Sequence, residues 1–429
     1  MKLNTRTTKG LAAIGLASAL LVTAGCSAGA PPAESGPVTI SFWGWVPGIE
    51  DAVDAWNADN PDINVDFTRI ASADIANLPS QIDAGTAPDV AQVSINALPS
   101  YVIDQQVQDI TPYVGDDGDL YTASTWAGVT FGDSIYAVPQ DSSPIAMMYR
   151  KDLFEQYGID VPKTWDDYIA AAEKLQAADP KAHIAQFSPN EVSLWQADQL
   201  QAGSSWFGSE GDTWSVDIDG PKAQPVAERW QQLLDNDLIK VEQMWTPEYW
   251  SDVNSGAIAT INYAAWFPVI LAENAPDLAG KWAIAPSPSD SGDGTSSDLG
   301  GSVNIVTKDS KHAEAAAAFI SWLNSDPESL EILIKQGGLF PAAVAGFDSK
   351  ALNTPSDYFG GTNISETYIA AANNVSPAGV AGPAYTAAAT ALSDEFAKVA
   401  TGDLTFADAL SATADTTRET VKSMGLNVK

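Results

Sequence analysis

Two histidines, His183 and His312, are the whole imidazole complement of this 429-residue chain, so any triad with a histidine base must draw on one of them. His312 falls at the start of a helical stretch and reads as a surface residue. Beyond the leader no G-x-S-x-G elbow occurs, and the chain has no H-E-x-x-H, no Walker loop and no G-x-G-x-x-G after a strand. With 55 Asp and Glu, glycoside hydrolysis by a carboxylate pair stays open, but no pair is marked out. The residues that stand out are the 14 tryptophans, set among many Asn, Gln, Asp and Ser. Indole faces suit the C–H faces of sugar rings, and amide, carboxylate and hydroxyl groups supply the directed bonds that a buried polyol requires. That combination is the chemistry of a carbohydrate receptor.

A lone cysteine, Cys26, follows Lys2, Arg6, Lys9, an apolar run over 11–22 and the small residues Ala24 and Gly25. This is the layout of a secretory signal. The run is too short to cross a bilayer, which takes ~20 helical residues. The arrangement resembles the lipobox of bacterial lipoproteins, with Thr23 where that motif usually has an aliphatic residue. The expectation is therefore a signal peptide over 1–25, a lipidated Cys26, and a tether over 26–37 rich in Ser, Ala, Gly and Pro.

Composition bounds the rest. The chain is 45% hydrophobic and 18% charged, which is globular rather than disordered. About 390 residues after the tether exceed one hydrophobic core, so two domains are expected. Loss of the three leader cations takes the formal charge from −34 to −37. Such a surface repels phosphates, which excludes nucleic acid as a partner. Only five arginines occur, one in the leader, so a strongly anionic ligand lacks its usual guanidinium partners.

The patterning is α/β. Residues 38–43 (VTISFW) read as a buried strand, Ile49, Val53 and Trp56 share a helix face, 63–70 alternates as a strand, 75–84 reads as a helix and 88–94 as a strand. That order implies a parallel sheet. A second unit of the same kind starts at Thr164, which with Asp167 forms a capping-box pattern. Further strands are expected at 258–263, 282–285 and 302–306, with a helix over 311–323 and a helical C-terminal segment. The segment 287–301 (SPSDSGDGTSSDLGG) reads as a solvated connector, because its spacing fails the calcium-loop pattern. No metal or cofactor is expected.

Several segments in this order resemble the extracellular solute-binding proteins of family 1, the sugar receptors of ABC importers: VTISFWGW (38–45), APDV (87–90), YAVPQDSSPIAMMYRKDLFEQYGIDVPKTWDDY (136–168), INYAAW (261–266) and LGGSVNIVTKDSKHAEAAAAFISWL (299–323). The resemblance implies the two-lobe periplasmic-binding-protein fold, type II-like, with a hinge and an interlobe ligand cleft. It places one lobe at 38–141 and 297–325 and the other at 142–296 and 326–429.

Carried over on the same resemblance, the first lobe offers Trp43, Trp45, Asn96, Gly301 and Ser302 to a sugar. Gln140, Asp141 and Ser143 stand near the first crossing, and the second lobe offers Trp195, Trp206 and Trp266. Trp56, Trp165, Trp230 and Trp322 fall within amphipathic helices and are read as packing. The implied function is a monomeric, lipid-anchored receptor that delivers an oligosaccharide or glycoside to permease subunits without chemistry of its own. A secreted carbohydrate-active hydrolase and a receptor for a non-sugar solute, such as a polyamine or peptide, are the alternatives.

Overall fold

The computed structural model describes residues 36–376 and 382–429. The expected signal segment, Cys26 and nearly all of the tether lie outside the described residues. The strands that shape the site are, in chain order, β1 (Val38–Gly44), β2 (Ile63–Arg69), β3 (Val90–Ser94), β4 (Ala137–Pro139), β5 (Ile145–Arg150), β6 (Thr260–Ala264), β7 (Trp282–Pro286) and β8 (Ser302–Val306). The helices that matter are α1 (Ile49–Asp59), α2 (Trp165–Ala178), α3 (Val192–Gln201), α4 (Pro247–Ser255), α5 (Phe267–Asn274), α6 (Ala313–Ser325), α7 (Pro327–Gly337), α8 (Tyr385–Ala400) and α9 (Phe406–Ser423).

In the first lobe β1 alternates buried and half-buried side chains, then turns through Gly48 (φ 92°) into α1. Ile49, Ala52, Val53 and Trp56 form the buried face of α1, as their spacing requires. The sheet order is β2-β1-β3-β8-β4. β1 is parallel to β2 and β3, while β8 returns antiparallel between β3 and β4. Because β8 is antiparallel, its first residue, Ser302, lies opposite Ser94, the last residue of β3. One edge of the sheet therefore gathers the carboxyl ends of β1, β3 and β4 and the start of β8.

The second lobe departs from the expected pattern. Thr164 does close a capping box with Asp167 at the start of α2. The main sheet that follows is antiparallel, in the order β6-β5-β7. Among the described residues of this lobe, parallel strand pairing survives in two short pairs, Ala185–Phe187 with Ile239–Val241 and Thr213–Val216 with Asn427–Val428. β5 starts at Ile145 opposite Ala264, the end of β6, so this sheet also turns one edge toward the segments joining the lobes.

A boundary at 325/326 does not hold for the chain that follows it. Asp326 caps α7 directly, its Oδ1 accepting the Glu328 amide at 2.9 Å, so α6 leads into α7 without a connecting loop. Leu330, Leu333 and Ile334 of α7, with Leu339, Ala342 and Ala343, complete the first-lobe core instead. Each leucine and isoleucine among them contributes roughly 1.5–3 kcal/mol on burial. Phe359 already packs in a core of the second lobe.

Candidate ligand cleft

Three segments run side by side between the lobes. The Gln140 amide donates to the Ser302 carbonyl (2.9 Å) and the Ser142 amide to the Phe340 carbonyl (3.0 Å). The Leu299 amide reaches the Ser143 carbonyl (2.9 Å), and the Ile145 amide the Ser297 carbonyl (3.0 Å). Two carboxylates tie these segments reciprocally. Asp141 Oδ1 accepts from the Ser302 amide at 2.8 Å and from the Ser302 hydroxyl. Asp298 Oδ1 accepts from the Ser142 hydroxyl at 2.9 Å and the Ser143 amide at 3.2 Å. Burial pushes both acids up to about 6; their serine partners oppose the shift, and the Asp298 charge adds to it at Asp141.

Above these carboxylates lies a cavity of about 310 Å³ shared by both lobes. Ile95, Asn96, Pro99 and parts of 123–131 come from the first lobe, Asp141, Ser297, Asp298 and Gly300 from the joining segments, and Gln196, Leu200, Trp206, Val375 and Ser376 from the second. Among the described residues that line it there is no Lys, Arg or His. The Tyr385 hydroxyl, at the start of α8, bridges the lobes: it accepts from Asn96 Nδ2 (3.2 Å) and donates to Gln196 Oε1 (3.0 Å). The wall thus offers carboxylate and carbonyl acceptors, amide and hydroxyl donors, and apolar patches, a surface suited to a neutral, hydroxyl-rich ligand.

A sequence profile of the bacterial extracellular solute-binding proteins matches residues 45–329. The chain belongs to that family. Among the relatives of this solute-binding protein, the arabinooligosaccharide-binding protein of Bacillus subtilis (strain 168) is 26% identical over 377 residues, covering 83% of this chain and 86% of the relative. The lactose-binding protein of Rhizobium radiobacter is 25% identical over 360 residues, 78% of this chain and 82% of its own length. Among solved structures, the galacto-N-biose-/lacto-N-biose I-binding protein of the ABC transporter from Bifidobacterium longum, in complex with lacto-N-biose, superposes with a TM-score of 0.81. It shares 30% identity, over 92% of this chain and all of that one.

Of the residues expected to touch ligand, the solute-binding protein brings Asn96, Asp141 and Trp206 to the cavity wall. Trp206 is 1% exposed, and its Nε1 donates to Gln199 Oε1 at 2.5 Å. Gly301 and Ser302 act behind the wall. Ser302 holds Asp141, and Gly301, at φ 125°, lies so close to the Asp141 carbonyl that a Cβ would sit 2.9 Å from its oxygen. Three expectations need correction. Gln140 and Ser143 are buried among the joining segments, where the Ser302 hydroxyl bonds Gln140 and the Ser143 amide bonds Asp298. Trp195, 4% exposed, is core: its ring stacks on Phe406 at 4.9 Å and 6°.

Trp43 and Trp45 are half-buried against the first-lobe core and do not line this cavity. Trp266 also stands outside it, in an aromatic cluster beyond the end of β6. Sequence reasoning missed Asp298, Gln196 and Tyr385. Asp298 sat in a segment whose Ser, Gly and Asp content reads as solvated, and Tyr385 meets Asn96 across 289 positions of sequence.

Proposed function

We propose that the protein is the sugar-capturing component of an ABC importer. It binds a neutral di- or oligosaccharide between its lobes, hands it to permease subunits as a monomer, and performs no chemistry on it. The observation that carries this reading is the interlobe cavity, lined by Asn96, Asp141, Gln196 and Asp298 with no basic side chain among the described lining residues. Such a wall rewards hydroxyl donors and amides, and a phosphorylated or carboxylated solute would meet two carboxylates and no cation. The arabinooligosaccharide-, lactose- and lacto-N-biose-binding relatives support the sugar class. Export and acylation at Cys26 would hold the receptor at the outer face of the cytoplasmic membrane.

A thermal-unfolding screen against mono- and oligosaccharides tests the reading. A true ligand at 100 times its Kd stabilises the fold by about 2.7 kcal/mol. The bound sugar is returned intact after prolonged incubation. Cleavage abolished by Asp298→Asn would instead establish a hydrolase.

A further inference from the structure

The segment 287–301 has the composition of a solvated connector, yet its first half is held from inside the second lobe. Gln201, the last residue of α3, is 7% exposed, and both ends of its amide are bonded within the protein. Its Nε2 donates to the Pro288 carbonyl at 2.9 Å and to the Thr295 carbonyl at 2.8 Å, while its Oε1 accepts from Trp165 Nε1 at 3.0 Å. One amide therefore closes the loop 288–295 at both of its ends. Arg229 adds a second hold: its guanidinium lies over Trp165, 4.0 Å from the ring centroid, and its Nη1 is 3.6 Å from Asp290 Oδ1 within the loop.

The chain that leaves this loop is the one that delivers Asp298 to the cavity. Between Thr295 and Asp298 it is tied to the second-lobe sheet: Ser296 Oγ donates to the Ile145 carbonyl at 2.9 Å, and the Ser297 carbonyl accepts the Ile145 amide at 3.0 Å, where β5 begins. In the other direction, α3 carries Gln196 and Leu200 to the same cavity wall, one helical turn apart and so on one face. Gln201 is thus the neighbour of one wall residue in sequence and is joined by its amide to the loop that leads to another. Asp141 is held differently, by Ser302, the first residue of β8 in the first-lobe sheet.

We propose that Gln201 is a positioning residue for ligand capture: by clasping 288–295 to α3 it fixes Asp298 relative to Gln196 and Leu200. The second lobe then carries its acid and its wall to the sugar as one unit, while Asp141 stays with the first lobe. The proposal rests on the sugar reading above. Without the two amide donors the Pro288 and Thr295 carbonyls lose their buried partners, which favours a loop displaced toward water. Ligand must then order that segment as it binds, and affinity falls.

The experiment is calorimetry with the tightest binder from a screen of arabino-, galacto- and malto-oligosaccharides. Gln201→Met, which keeps the side-chain length and loses the amide, is measured in three backgrounds: unaltered, Asp298→Ala and Asp141→Ala. Gln201→Glu, which keeps the acceptor for Trp165 and loses both donors, is the second variant, with circular dichroism as the check on folding. Either variant is expected to weaken binding at least fivefold in the unaltered and Asp141→Ala backgrounds, but less than twofold in Asp298→Ala, where the positioned carboxylate is already gone. A residue that merely stiffens the lobe costs as much whichever acid is missing. The same loss in the Asp298→Ala and Asp141→Ala backgrounds, or no loss in the unaltered one, overturns the positioning role while leaving the sugar reading intact. If no sugar binds the unaltered protein, both readings fall.

Discussion

Asp141 and Asp298 make the stability of the fold depend on pH in a direction opposite to that of most carboxylates. Each starts from an ordinary value of 3.8 and is pushed up to about 6 by burial. The folded protein therefore holds these protons more tightly than the unfolded chain does. Their stabilising contribution is fully present below about pH 4 and is lost as pH rises through 6. Two units correspond to about 3 kcal/mol at 1.36 kcal/mol per unit. Both groups are half-buried and partly screened by solvent, so an effect on the order of 1–2 kcal/mol is expected between pH 7.5 and 5.5. Asp141→Asn keeps an oxygen toward the Ser302 amide and hydroxyl but carries no charge. Urea unfolding at both pH values should show the variant gaining about 1 kcal/mol less than the unaltered protein on acidification. Glu242, pushed up to about 7 by burial and its neighbour Asp252, titrates in both proteins, so the difference between them isolates Asp141. An identical pH dependence for the two would refute the reasoning.

Tyr385→Phe removes one hydrogen bond to each lobe; at ~0.5–1.5 kcal/mol per neutral bond it should weaken ligand two- to tenfold by calorimetry, with the ring packing retained. Trp195→Ala empties a fully packed aromatic site and should cost about 3–5 kcal/mol of stability in denaturant unfolding, while the folded fraction binds sugar as before. Cys26→Ser should move the protein from the membrane fraction to the medium without changing its affinity, and retention after a high-salt wash would disprove the anchor.

Local patterns were legible wherever one element decides its own structure. The alternation in 63–70, the α1 face of Ile49, Val53 and Trp56, and the Thr164–Asp167 capping box each involve neighbours in sequence, and each forms. Long-range partnership was not legible. The α7 face carries the same apolar residues whichever lobe it joins, so its docking on the first core had no local signature. Tryptophans posed the same problem: Trp195 and Trp245 are alike in type, yet one is stacked in a core and the other is half exposed, because only the fold decides which face meets solvent. At the cleft, Asp141 was identified through a specific run of residues around a crossing, whereas its partner Asp298 lay hidden in a stretch of ordinary turn formers.

The most direct test of the account is titration calorimetry of the purified protein and Asp141→Ala with neutral di- and trisaccharides. The account expects one site per chain, binding without turnover, and a loss of about 10- to 100-fold in the variant, the ~1.5–3 kcal/mol of a hydrogen bond to a charged acceptor. Failure of every neutral sugar to bind while a polyamine or peptide binds in the same cleft, or binding that Asp141→Ala leaves unchanged, would contradict it.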